Sequence, residues 1–300
     1  MDKISFASQL LQYVITGVTI GGVYAMVAIG FNIIYNVTEI INFAQGEFVM
    51  LGGLVMVSLH VHFGFPLPIA FVGTLVVVTL VGVLLDRLAV RPIRKPSVLT
   101  LIIATIAASI VIKGVAMLIW GKNPFDLPAF SGRIPIVIGG AAIQPQYLWV
   151  IGFLVLTVAG LTLFFNKTIV GKAMRACADN ADAARLVGIN VQHMVMLSFA
   201  LSAAIGAVAG LTITPIALME YDRGAMLAVK GFGAAILGGL GSFPGAICGG
   251  LILGLIESLG AGLLASGYKD AYALIVLLAV LFFRPNGILG NLEVTKFKRF

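Results

Sequence analysis

Nine mainly apolar stretches, most of them about as long as a helix needs to be to cross lipid hydrocarbon, constrain this chain more than anything else in it. They run at 10–31, 43–59, 67–86, 98–120, 147–165, 195–213, 225–240, 244–265 and 270–284, bounded by charge, Pro or Gly. A helix needs about 20 such residues, because no water is present in the hydrocarbon to satisfy an open backbone. The runs are continuous rather than alternating, which argues against a β-barrel. The first is too long and too glycine-rich for a signal-peptide core and has no basic flank beyond Lys3, so it counts as a true span. Of the 300 residues only 10% are charged and the mean hydropathy is +1.09, too little charge to coat a water-facing surface. Cys177 and Cys248 are too few for a disulfide scaffold. The expectation is an all-α integral membrane protein of about nine (eight to ten) transmembrane helices, forming a single transmembrane domain over 1–300.

The net charge of +7 is dispersed between the apolar runs rather than gathered in a patch, which argues against a nucleic-acid partner and for a topology signal in the lipid bilayer. Three segments carry four cations each: Arg87, Arg91, Arg94 and Lys95; Lys167, Lys172, Arg175 and Arg185; Arg284, Lys296, Lys298 and Arg299. The opposite segments hold Lys122, Arg133, Arg223 and Lys269. The basic segments are therefore expected to be cytoplasmic, and nine crossings then place the C-terminus inside and the N-terminus outside. Trp120, Tyr147, Trp149, Tyr221, Tyr268 and Tyr272 fall at the expected outer ends, as an aromatic belt does.

Two glycine-interrupted regions, 36–53 and 231–254, disturb the regular spans. Each follows a small-residue-rich run, and by the topology above those two runs point in opposite directions. This is the pattern of an inverted repeat, four spans on either side of a linking fifth, in which broken helices mark a substrate path. The competing reading is that Gly241, Gly245, Gly249, Gly250 and Gly254 only let helices approach closely.

Charge inside a span costs about 2.5–3.5 kcal/mol on insertion scales, so Glu47, Lys113, Lys230 and Glu257 each need a reason. Lys113 can snorkel, and Glu47 or Lys230 can sit at an interface. Glu47 gains weight because Asn42 and Gln45 lie within the same short stretch at an expected helix break. The loop at about 166–194 is the longest basic one. Asp179 or Asn180 can cap a short helix that ends at Gly188, leaving Ala183, Leu186 and Val187 as a small apolar knob. The knob is either a docking element or an ordinary helix lying on the membrane. The Walker glycine–lysine pattern does not occur, since neither Gly121-Lys122 nor Gly171-Lys172 has the spacing or the following hydroxyl. His60, His62 and His193 give no convincing metal pattern, and the nucleophile-elbow motif is lacking as well.

The stretches GVYAMVAIGFNIIY (22–35), INFAQGEFVMLGG (41–53), RPIR (91–94), MRACADNADAARLVGIN (174–190), AAILGGLGSFPGAICGGLILGLIES (234–258) and RPNGILG (284–290) resemble the permease subunit of branched-chain amino acid ATP-binding-cassette (ABC) importers. More narrowly they are similar to the smaller membrane subunit, the H subunit of the leucine-isoleucine-valine system. The resemblance implies an ABC-permease fold in a bacterial inner membrane. It also implies a heterodimer with a second related permease, two cytoplasmic ATPase subunits that bind the ATP and Mg, and a periplasmic amino-acid-binding protein. This chain would hold no cofactor and would not be an enzyme.

Asp182, Ala183, Ala184 and Gly188 match the spacing of the family's ATPase-coupling motif. Two positions depart from its pattern: Asn36 stands where Gly is usual, which an excursion to left-handed backbone would explain, and Gln45 stands where His is frequent. Translocation-path candidates are Asn42, Gln45, Glu47, Lys230, Gly241 and Glu257. Three classes of function remain at this point: an importer permease for leucine, isoleucine and valine, or for urea or other amino acids; a self-sufficient carrier or channel; and a membrane enzyme or scaffold.

Overall fold

The structure, a computed structural model, describes residues 6–93, 97–284 and 286–289. Lys3, Arg94, Lys95, Lys296, Lys298 and Arg299, together with Pro285 and Gly290 of the resembling stretches, lie outside the described residues.

Every one of the nine apolar runs forms a helix: α1 (Phe6–Thr38), α2 (Gln45–Val57), α3 (Leu67–Leu85), α4 (Val98–Trp120), α5 (Pro145–Lys167), then, after the basic loop helices α6 (Ile169–Asp179) and α7 (Ala181–Leu186), α8 (Val191–Ile213), α9 (Arg223–Gly238), α10 (Phe243–Leu263) and α11 (Lys269–Phe283). Seven of them are long and apolar enough to cross a membrane, α11 together with the short turn before it. The expected about nine (eight to ten) helices, some of them broken, are thus nine apolar helices of which seven are full length. The two exceptions, α2 with 13 residues and α9 with 16, are the helices that follow breaks.

Their shortness has a geometric origin, because both start at mid-depth. Gln45 lies beside Ser202, the midpoint of α8, and Glu47 beside Ser109, the midpoint of α4. From there α2 runs outward with a π-helical turn (Ser58–His62), where the Trp120 indole N–H at the end of α4 donates to Ser58 Oγ (2.6 Å). Helix α9 starts against the same junction, where Gly224 meets Gly46 backbone to backbone, and runs the other way. At its far end Leu237 accepts from Ile288 N (2.8 Å).

The packing repeats itself under the exchange of α1–α4 for α8–α11. Helix α1 packs on α10 as α8 packs on α3; α2 packs on α8 as α9 packs on α1; α2 touches α3 and α4 as α9 touches α10 and α11. Helix α5 links the halves. This is an inverted repeat with four helices on either side of a linking fifth, as expected, and α1 and α8 are antiparallel at its centre; the break that answers 39–44 is, however, 214–222, before α9, and not the expected region 231–254. Helix α1 is buried around its whole circumference from Val23 to Ile34, whereas α4, α5 and α11 expose most of their apolar side chains, as membrane-facing helices do.

Two faces result. On one, the start of α1 meets a hairpin of β1 (Ile136–Ile138) and β2 (Ala141–Ile143), with Ser8 Oγ donating to the Gly139 carbonyl (3.0 Å) and Ala142 N to Gln12 Oε1 (2.8 Å). On the other, Arg91 donates to Gln192 (2.9 Å) and Phe165 stacks on Phe243, which brings the described basic residues of all three segments to one side. By the charge rule that side is the one expected to be cytoplasmic.

The glycines serve close packing at some positions and a helix break at another. A methyl on Gly254 would strike the backbone of Gly21, and one on Gly250 that of Ala25, so these glycines set the α1–α10 crossing. Gly241 instead occupies the break between α9 and α10 at a φ of +87°.

Candidate functional site

The break between α1 and α2 delivers the polar cluster INFAQGEF to the middle of the fold. Asn42 caps its own turn by accepting from Ala44 N (3.1 Å), while its Nδ2, fully buried, has no hydrogen-bond partner. Gln45 is held fast: its Oε1 and the Gly30 carbonyl are both within hydrogen-bond distance of the Ser202 hydroxyl, in room left by the missing side chain of Gly30. Glu47 Oε1 accepts from Ser109 (2.9 Å), but Oε2, equally buried, has no partner and lies against the first turn of α9 at Gly224. An unmatched donor and an unmatched acceptor therefore lie buried at the joint between two half-membrane helices. Buried polar atoms are normally paired, and helix N-termini that meet at mid-depth are where broken-helix transporters hold substrate groups.

Asn36 is an ordinary helical residue of α1, and the left-handed excursion falls three residues later, at Glu39 (φ 58°). Asn36 has a different task. Its Nδ2 donates to the Gly241 carbonyl (3.0 Å), while Asn32 accepts from Gly241 N (3.1 Å) and donates to the Ser242 carbonyl (2.9 Å). Two asparagines of α1 thus clamp the α9–α10 break. Gly241 lies at the basic face, a whole α9 length from Glu47, so the structure does not bring it together with Asn42 and Glu47.

Lys230 and Glu257 form a separate centre. Lys230 Nζ donates to Glu257 Oε1 (2.9 Å) and pairs with Asp270; Lys269 also reaches Glu257 (3.0 Å), and the Tyr24 hydroxyl donates to Glu257 Oε2 (2.8 Å). Glu257 is fully buried and Lys230 nearly so. The network ties together α1, α9, α10 and α11. Sequence reading found its two central members but missed Lys269 and Asp270, because residues at the edge of a run look like loop charges, and Tyr24, because a single hydroxyl inside an apolar run does not reveal its partner. Lys113 lies 5.5 Å from the Tyr221 ring centroid, a cation–π contact.

In the basic loop, the Asn180 side chain accepts from the backbone N–H of Asp182 (3.0 Å) and Ala183 (2.9 Å), and Gly188 has a φ of +89°. These are the expected cap and the expected left-handed stop. Leu186 is 89% exposed and Val187 77%, with Asp182 and Ala183 also exposed. Ala184 differs from its neighbours: it is 3% exposed and packs inward where α7 meets α8, so it anchors the knob rather than belonging to its tip. Burial pushes the Cys177 thiol of α6 up from its ordinary value.

The chain is similar to known proteins over nearly its whole length. Residues 13–284 match the family model described as branched-chain amino acid transport system / permease component. The high-affinity branched-chain amino acid transport system permease protein LivH of Escherichia coli K12 is 37% identical, across 95% of this chain and 97% of its own length. The corresponding protein BraD of Pseudomonas aeruginosa is 36% identical over the same shares. Among solved structures, PsaBC from Streptococcus pneumoniae in complex with Fab is similar at a TM-score of 0.48 and 15% identity, across 96% of this chain and 94% of that one.

Proposed function

The chain belongs to the permease family of branched-chain amino acid ABC transport systems, and from that premise we propose how it works. It is a multi-pass membrane subunit of an ABC complex, not itself an enzyme, and ATP is bound by the complex's ATPase. Our proposal is that residues 1–300 act as one permease unit that pairs with a second, related permease, so that each supplies half of a path for leucine, isoleucine and valine. A separate external binding protein would select the substrate, and two cytoplasmic ATPases would drive the cycle.

The observation that supports the path most strongly is the pair of unmatched buried groups, Asn42 Nδ2 and Glu47 Oε2, at the joint of α2 and α9. A zwitterion in transit needs a partner for each charge, since an unpaired charge in hydrocarbon is prohibitive. Glu47 can receive an ammonium and Asn42 can donate to a carboxylate, and neither has to break a hydrogen bond first. The Lys230–Glu257 network serves as the strut beside the path, and the Gly241 clamp as the hinge at its inner end. Energy would enter through the loop at 166–194, where Leu186 and Val187, with Asp182, Ala183 and Gly188 around them, fill a groove on an ATPase. The test is reconstitution of the chain with its partners in liposomes. Leucine uptake should require ATP, the ATPases and the binding protein together, and flux through this chain alone without ATP would instead establish a self-sufficient carrier.

A further inference from the structure

Between the outer end of α8, the start of α9, the start of α11 and the outer half of α1 lies a cavity of about 510 Å³. That size falls within the roughly 300–1,000 Å³ typical of small-molecule sites. We propose that this cavity is a waiting site where one aliphatic amino acid zwitterion pauses on its way from the outer face to Glu47. The proposal rests on the amino-acid importer reading above and adds to it a specific recognition site within the membrane subunit.

The lining has the two chemistries such a ligand requires. Ile20, Ile213, Ile216, Met226 and Leu227 form an apolar wall with no polar side-chain atom to desolvate. Methionine adds a surface that adapts to leucine, isoleucine or valine alike. Facing the wall are charges of both signs. Asp222 stands at the N-cap position of α9, where an aspartate normally accepts from the helix's own amides, yet it makes no capping hydrogen bond. It also has no ion-pair partner among the described residues. Its carboxylate is therefore free to receive an ammonium. Arg223, next to it, forms an ion pair with Glu220 at 3.8 Å that is too long for a direct hydrogen bond, so its guanidinium donors remain available to a carboxylate in the bidentate geometry they favour.

Of the remaining charges at the cavity, Lys230, Lys269 and Asp270 are committed to the Glu257 network and form its floor, while Glu220 stands beside Arg223. The onward step is short in sequence and in space. Asp222 is two residues from Gly224, whose backbone packs on Gly46 and Glu47. An ammonium leaving Asp222 thus has the unmatched Oε2 of Glu47 as its next acceptor. Because Arg223 is about half exposed, the site should bind weakly, as a relay must.

The proposal is tested on the assembled complex in lipid nanodiscs. Cys177 and Cys248 are first replaced by serine, and Met226→Cys is then introduced. Modification of that cysteine by a small cationic methanethiosulfonate is followed by the mass of this chain, without binding protein. Millimolar leucine should slow the reaction several-fold, 4-methylpentanoate, which lacks the ammonium, should not, and adding Asp222→Asn should abolish the protection by leucine. A rate unaffected by leucine, a cysteine that never reacts, equal protection by the two compounds, or protection that survives Asp222→Asn would each overturn it. ATP-driven leucine uptake by the parent complex, measured in parallel, tests the importer reading separately. Uptake without protection sinks the cavity alone, and no uptake of any branched-chain amino acid sinks the reading beneath it.

Discussion

Gly46 and Gly224 face each other backbone to backbone, each occupying the space where the other would need a Cβ. They stand in the first turns of α2 and α9, which occupy equivalent positions in the two inverted halves, so this contact lies where the repeat meets itself. A methyl at Gly224 would fall 2.7 Å from the Gly46 carbonyl oxygen and 2.9 Å from Glu47 Oε2. Gly224→Ala should therefore pry the joint open and cost about 1–3 kcal/mol by overpacking, read as a lower unfolding temperature in detergent together with slower uptake. Wild-type stability and wild-type uptake in this variant would mean that the half-helices do not need their close approach.

The Glu257 network should respond unequally to losing its members. Removing one partner of a buried charge pair costs about 3–5 kcal/mol when the other is left uncompensated. Glu257→Gln strands Lys230 and Lys269 with only Asp270 to share, whereas Lys230→Met leaves Glu257 with Lys269 and the Tyr24 hydroxyl. Thermal unfolding should rank Glu257→Gln as the more damaging of the two. The reverse order would show that Lys230, not Glu257, is the hub.

In the basic loop, neighbouring residues should fail for different reasons. Leu186→Asp, at a tip 89% exposed, should leave the protein inserted and as stable as wild type while abolishing ATP-driven uptake and ATPase co-purification. Ala184→Leu, at 3% exposure, should instead destabilise the loop itself. Normal coupling in Leu186→Asp would reduce the knob to a surface helix.

Sidedness follows from the two faces. In a background lacking Cys248, a membrane-impermeant thiol reagent applied to intact cells should label Pro128→Cys and spare Asp179→Cys, although both positions are exposed in the fold. Native Cys177 should stay silent in either orientation, being buried with its thiol pushed up. Labelling of Asp179→Cys alone would invert the topology.

The nine helices were legible because each apolar run is long and continuous, and the inverted repeat because a small-residue-rich run precedes each half-helix; the second break was placed too far along, since the connection 214–222 before α9 carries no glycine to mark it. Composition could not show that α2 and α9 are half-membrane helices. An apolar residue buried against protein, such as Phe48, reads the same as one facing lipid, such as Leu118, and only packing tells them apart. Nor could the sequence show that Ala184, one of the residues matching the coupling motif, packs inward: a six-residue helix has no periodicity long enough to reveal which side its neighbours cover. Asp222 was hidden by its neighbour, since Asp beside Arg in a short connection reads as solvated charge until the capping hydrogen bond is seen to be missing. Glu47 was legible from the polar density around it, but its unmatched oxygen was not.

The most direct test concerns that oxygen. Initial rates of leucine and valine uptake are measured in the complete ATP-driven complex carrying Glu47→Gln, a substitution that keeps the shape and the acceptor for Ser109 but removes the charge that would receive an ammonium. Both rates are expected to fall by a similar large factor, with the leucine-to-valine ratio and the amount of assembled complex unchanged. Uptake at the wild-type rate would contradict the account and place the path away from the joint of α2 and α9.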